Sequence, residues 1–255
     1  MSEKVTSSPG SDKRAARKQA AIERQVRERR KRMVLGGVAI AILIAAILIA
    51  ANRPTDSEAP EIDYAAIPSN GMVLGTSGAS VQVVEYADYQ CPFCGDFATE
   101  VAPQLIEDFV ETGQATFEFR AFPFLGGDDL TSPDNESVQA AEAAMCALDQ
   151  DKFWEYNHLL FENQDGENQG AFSNDNLKEF AAELGLDTAT FNTCLDTGMH
   201  QQEVLDQFAA YQTEGIDSTP TIFINGQSVP YTTQGYDLLK RQIEAAITGE
   251  PIPVS

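Results

Sequence analysis

Histidine is nearly absent from this chain: there are only 2 in 255 residues, His158 and His200. Cysteine occurs 4 times. A structural zinc site wants four ligands, typically as two spaced pairs. Only one Cys-x-x-Cys is present, Cys91 and Cys94, and neither histidine stands at ligand spacing from a cysteine. A structural zinc site is therefore not expected, nor is a cofactor. The acids lack EF-hand spacing, so Asp128-Asp129 and Asp165–Glu167 read as solvated loops. No internal repeat is visible. Positive charge is scarce after Arg53: residues 54–255 hold 5 Lys/Arg against 35 Asp/Glu. Such a surface repels phosphates, which argues against a nucleic-acid partner. It promotes solubility and names no substrate.

The cations lie at the other end. Residues 1–32 hold 11 Lys/Arg and 4 Asp/Glu. The uncharged run Met33–Ala51 follows. At about 1.5 Å per residue a helix here spans roughly 28 Å, close to the hydrocarbon thickness. Basic residues before it and only Arg53 close behind place the N-terminus in the cytoplasm and the remainder outside. A cleaved signal peptide has a shorter apolar region, of about 7–15 residues, and Ile49 suits a cleavage site poorly. A retained anchor is expected, with a cleaved leader as the alternative. The expected organisation is a basic cytoplasmic tail (1–32), a single transmembrane helix (33–51), a tether rich in Pro, Ser and acids (52–70), and a folded domain (71–255) in the extracytoplasmic space.

Within that domain Val81–Tyr86 is β-branched and apolar, as in a buried strand. A helical stretch follows from Pro92 to Glu111, with Pro103 expected to kink it. Ala115–Phe122 alternates as a strand. From about 128 to 212 the pattern is helical, with Ser137–Glu162, Asn176–Leu184 and Gln201–Tyr211 as helices. Ala140–Leu148 is apolar apart from Glu142, so it is expected to be buried nearly all round. Pro220–Ile224, the turn Asn225-Gly226 and Gln227–Tyr231 read as a hairpin. Gly235–Thr248 closes as an amphipathic helix. The class is α/β with a helical insertion.

Cys91 follows a strand and opens a helix, with Pro92 in the first turn, where proline is favoured. As N-cap it faces unpaired N–H groups, expected to be those of Phe93 and Cys94, and the positive end of the helix dipole. Both favour a thiolate and so a reactive, oxidising disulfide. Cys94, one turn inward, is shielded and suits the resolving thiol. An inert structural disulfide is the alternative reading.

The stretch VVEYADYQCPFCGDF, followed much later by DSTPTIFINGQ, resembles the DsbA-like branch of the thioredoxin superfamily, which are extracytoplasmic thiol–disulfide oxidoreductases. The resemblance covers about 71–255 and implies a thioredoxin-like fold with a helical insertion. It implies that Cys91 is the nucleophile, Cys94 its buried partner, Glu85 a buried acid that relays a proton, and Thr219-Pro220 a Thr–cis-Pro pair that packs on the disulfide and pairs with an extended substrate. It also implies a bond between Cys146 and Cys194; otherwise they are two buried thiols. The implied partners are exported proteins with free thiols and a quinone-linked membrane oxidase. Strongly oxidising members carry a histidine where Phe93 stands. Phe93 brings no cation, and Asp88 and Asp96 are expected to push the Cys91 thiol up, so a moderate oxidant is expected. A reductase or isomerase using the same site, or a thiolate copper carrier, stays open.

Overall fold

The computed structural model describes residues 60–127, 129–232 and 235–254. The basic tail, the apolar run 33–51 and most of the tether lie outside the described residues. Among the described residues no helix is long and apolar enough to cross a membrane.

The core is a six-stranded sheet in the order β1-β2-β4-β3-β5-β6. Its centre is β3 (Val81–Ala87), nearly all of it buried. A strand covered on both faces reads as a continuous apolar run, and VQVVEYA breaks that run at Gln82 and Glu85 alone. β3 pairs in parallel with β4 (Ala115–Ala121) and antiparallel with β5 (Thr221–Ile224). β5 turns into β6 (Gln227–Val229) through Asn225 and Gly226, both at positive φ (49° and 78°), as an Asn-Gly hairpin requires. This hairpin is shorter at both ends than the sequence pattern suggests. Pro220 and Pro230 flank it, and proline has no N–H to give a ladder.

The fold begins earlier than residue 71. A 3₁₀ turn (Tyr64–Ala66) and a short hairpin, β1 (Ser69–Asn70) with β2 (Val73–Leu74), add an edge to the sheet. Ile67 is buried in the core. The last part of the expected tether is therefore packed, because Ile67 and Leu74 supply apolar surface that a short edge can cover.

Between β3 and β4 runs α1, residues 92–110. Its α turns, Pro92–Asp96 and Ala102–Leu105, alternate with wider π-type turns, Phe97–Val101 and Ile106–Val110. Pro103 has no N–H to donate one turn back, and the turn before it, Phe97–Val101, is of the wider type. The helical insertion contains α2 (Glu136–Leu148), α3 (Phe153–Glu162), α4 (Asn174–Glu183), α5 (Thr188–Asp196) and α6 (Gln201–Thr213). The expected stretch Ser137–Glu162 is two helices, because Asp151 takes a left-handed conformation with φ 58° and stops α2. α5 is an additional helix, its start capped by the Asp187 carboxylate, which accepts from the Thr190 N–H at 2.8 Å. Every residue of α2 from Glu136 to Ala147 is buried. α7 (Gly235–Thr248) packs on α1, β3 and β5.

Candidate active site

Cys91 is the N-cap of α1, in extended conformation at φ −75°, with Pro92 next in the chain. Proline at that position loses no helical hydrogen bond, since its N–H would have had no partner. The carbonyl of Cys91 accepts from the N–H groups of Cys94 and Gly95, both at 3.0 Å, which closes the first turn and sets the two sulfurs on one side of it. Both thiols are free in this structure. Cys91 is 4% exposed and Cys94 is fully buried.

The two thiols differ sharply in acidity. Cys91 is pulled down from its ordinary 9.0 to about 6. The largest influence is the hydrogen bond from the Cys94 thiol; burial opposes it; Thr219 and the N–H groups of Cys94 and Phe93 add to it. Neither N–H makes a cap hydrogen bond of normal geometry to the sulfur. Their effect is the pull of two backbone dipoles at close range, that of Cys94 already donating to the Cys91 carbonyl, and it is weaker than a formed bond. Cys94 moves the opposite way, raised well above 9.0 by burial first, then by its bond to Cys91 and by the charge of Glu85. Asp88 and Asp96 are not among the leading influences on Cys91, contrary to the sequence expectation. The Asp88 carboxylate is turned inward and engaged: Oδ1 accepts from the Gln90 N–H and the Ser137 hydroxyl, and Oδ2 from the Phe124 and Leu125 N–H groups.

Glu85 sits mid-strand in β3, opposite Phe119 of β4 and Ile222 of β5. It is 1% exposed, and its Oε1 has no hydrogen-bond partner. Burial, and next the charge of Cys91, raise its pKa well above the usual carboxylate range. The Thr219–Pro220 bond is cis. The Thr219 carbonyl accepts from the Cys91 thiol at 3.6 Å. The Thr219 hydroxyl is buried and has no partner, and it acts on both Cys91 and Cys94 to favour the thiolate. The structure thus gathers Cys91, Cys94, Glu85 and Thr219-Pro220 at one place. Cys146 and Cys194 lie apart, bonded to each other between α2 and α5. Phe93 is 65% exposed and stands at the mouth of a groove of about 640 Å³ that also takes in Pro220, Tyr231 and Tyr236.

Residues 68–245 match the profile of the family described as Thioredoxin. The chain belongs to the thioredoxin family. Within it, the chain is 30% identical over 180 residues to disulfide bond formation protein D of Bacillus subtilis, covering 70% of this chain and 78% of that one. The crystal structure of oxidised BdbD from Bacillus subtilis superposes with a TM-score of 0.62 at 29% identity, over 72% of this chain and 97% of that one. Alpha-DsbA1 of Wolbachia pipientis shares the fold, with a TM-score of 0.57 at 22% identity over 72% of this chain and 95% of that one. This DsbA-like protein is a thiol–disulfide oxidoreductase. It acts on protein thiols, and an enzyme that exchanges disulfides must be returned to its starting state by a redox partner.

Several residues of the DsbA-like site left no mark in the sequence. Gln164, from the insertion, donates its side-chain amide to the carbonyls of Tyr89 and Cys91 and so pins the redox loop. Gly95 makes room for it, since a Cβ there would stand 2.6 Å from the Gln164 Oε1. Gln90 is fully buried, donates to the Ser137 hydroxyl at 2.7 Å and accepts from the Asn168 N–H. These contacts tie the thioredoxin-like sheet to the insertion. They join residues roughly 50 to 80 apart in the chain, a separation that carries no local pattern.

Proposed function

We propose that the protein introduces disulfides into exported proteins from the extracytoplasmic face of a membrane. The carrying observation is the opposed acidity of the two active-site thiols, with Cys91 at about 6 beside an exposed groove and Cys94 raised and buried. A thiol that ionises below neutral pH is a good leaving group, which makes its disulfide oxidising.

In the oxidised enzyme a substrate thiolate attacks the Cys91 sulfur. The substrate–Cys91 bond forms and the Cys91–Cys94 bond breaks. Cys94 leaves as a thiolate and takes a proton, for which Glu85 is the buried acid whose charge acts on it. The second substrate thiolate then attacks the substrate sulfur of the mixed disulfide and expels Cys91 as a thiolate. Two electrons have passed from substrate to enzyme. Cys91 stands at the helix start beside the groove and is the less buried of the two, so it is attacked first, while full burial keeps Cys94 from competing substrates. In this reading the Thr219 backbone, beside Cys91 at the cis Thr219–Pro220 bond, pairs with an extended chain.

The anchor 33–51, with its basic N-terminal flank, supports an outward-facing domain held at a cell membrane. Reoxidation then falls to a quinone-linked oxidase in the same membrane, a partner that tethering keeps close.

Equilibration of the full chain with glutathione buffers tests the direction. A potential between about −180 and −120 mV, with catalysed oxidation of a reduced unfolded protein, supports the oxidase. A value near about −270 mV makes it a reductant. Tight stoichiometric copper binding by the reduced protein without dithiol turnover makes it a carrier. A membrane-impermeant maleimide applied to intact cells tests the topology: labelling of reduced Cys91 is expected, and labelling only after lysis sinks the outward placement.

A further inference from the structure

The groove beside Cys91 constrains what enters it; this deepens the reading above and rests on it. Its lining is apolar and aromatic at Pro220, Tyr231 and Tyr236, with Phe93 at the mouth. The edge carries two exposed carboxylates, Asp96 and Glu100, four residues apart on α1. Like charges at that spacing repel, and the helix gains nothing from them. Among the described residues neither carboxylate has an ion-pair partner. The cations are engaged elsewhere: Arg120 with Glu118, Lys152 with Glu155, Lys178 with Asp196 and Lys240 with Asp108. Arg241 has a partner as well. The negative potential also reaches the lining: after burial, the charges of Asp96 and Glu100 are the main influences that push the Tyr231 hydroxyl up to about 12.

We propose that this groove selects polypeptide segments in which the reactive cysteine stands close to an apolar residue and to a lysine or arginine. The apolar side chain seats on the aromatic lining. The cationic side chain lays its aliphatic stem along the same surface and brings its head to Asp96 and Glu100. A cation close to the substrate thiol also favours the thiolate form that attacks Cys91.

The test uses the oxidised full chain and three dithiol peptides that differ at one flanking position only, carrying Lys, Gln or Glu there. Dithiothreitol serves as a small neutral control, and thiol loss is followed at low ionic strength. The expected result is oxidation of dithiothreitol, and a kcat/KM roughly tenfold higher for the Lys peptide than for the Glu peptide, with Gln between. That ratio is expected to shrink to roughly twofold in 0.5 M salt and toward one in the Asp96→Asn, Glu100→Gln double variant. The ratio is insensitive to a uniform change in Cys91 reactivity. Equal rates for all three peptides with dithiothreitol still oxidised overturn the inference alone, as does a ratio that survives the double variant. Failure to oxidise dithiothreitol or any peptide overturns the oxidase reading and the inference with it.

Discussion

The protein holds two cysteine pairs, and each has a buried glutamate beside it. Glu85 acts on Cys94 from β3, and Glu142 lies one helical turn before Cys146. Both carboxyls are raised by burial, and each leaves Oε1 without a partner. The pairs are nevertheless built for opposite ends. Cys91 caps a helix, so the Cys94 thiol and the N–H dipoles of the first turn stabilise its thiolate, and a groove opens next to it. Cys146 and Cys194 lie within α2 and α5, where backbone N–H groups are already spent in the helix, and their bond is buried. A helix start and an open flank make a cysteine pair exchangeable. Burial and a nearby carboxylate, common to both pairs, do not.

The comparison breaks most visibly on substitution. Cys91→Ser is expected to lower dithiol oxidation by at least about a thousandfold, as loss of a covalent nucleophile does. Changing both Cys146 and Cys194 to serine is expected to leave turnover within about twofold and to cost about 2–5 kcal/mol of stability, since the bond closes a separation of 48 residues. Denaturant unfolding and a turnover assay on the same samples check both halves. Loss of turnover with intact folding in the serine pair would show that the second disulfide also exchanges.

A pH series sharpens the contrast. The Cys91 pKa is depressed in the folded reduced form, so its thiolate stabilises that form fully above the ordinary 9.0. That stability is lost as pH falls through about 6. The loss is at most about 4 kcal/mol, from roughly 1.36 per unit. Thiolate absorbance should titrate with a midpoint near 6, and the redox potential should fall by about 30 mV per pH unit above it, since one proton then accompanies two electrons. A midpoint at 8 or higher would remove the distinction between the two pairs.

The two glutamates come next. The folded pKa of Glu85 is raised, so its contribution is fully present below 4.5 and is lost as pH rises through the folded value. Glu85→Gln removes that loss. The variant is expected to be more stable than the parent at pH 7 by about 1–3 kcal/mol, equal to it near pH 4, and slower in the step that protonates Cys94. Unfolding at the two pH values decides it; a variant destabilised at both assigns Glu85 a packing role. The smallest expected effect is Thr219→Val, which takes away a hydroxyl that favours the thiolate. A formed hydrogen bond to a charged group is worth about 1.5 kcal/mol, which is the ceiling for a hydroxyl that makes none of normal geometry. The shift is therefore at most about one unit on the Cys91 titration and about 30 mV toward a more reducing potential.

Local signals were legible in the sequence because they repeat or cap. The β-branched run Val81–Tyr86, the Asn225-Gly226 turn and the alternation of Ala115–Phe122 each carry a period or a turn chemistry that needs no distant partner. Proline after Cys91 marks a helix start, and with it the more acidic thiol. The tertiary structure alone decided the rest. Asp88 faces inward because four donors converge on it from three segments. Asp151 ended a helix that the pattern ran through, and Ile67 drew part of the tether into the core. Gln164 reaches the redox loop from the insertion, and Glu85 is buried because β3 lies between β4 and β5. Each of these depends on which surfaces meet after the chain folds back on itself, and a single polar residue far along the chain has no spacing by which to announce it.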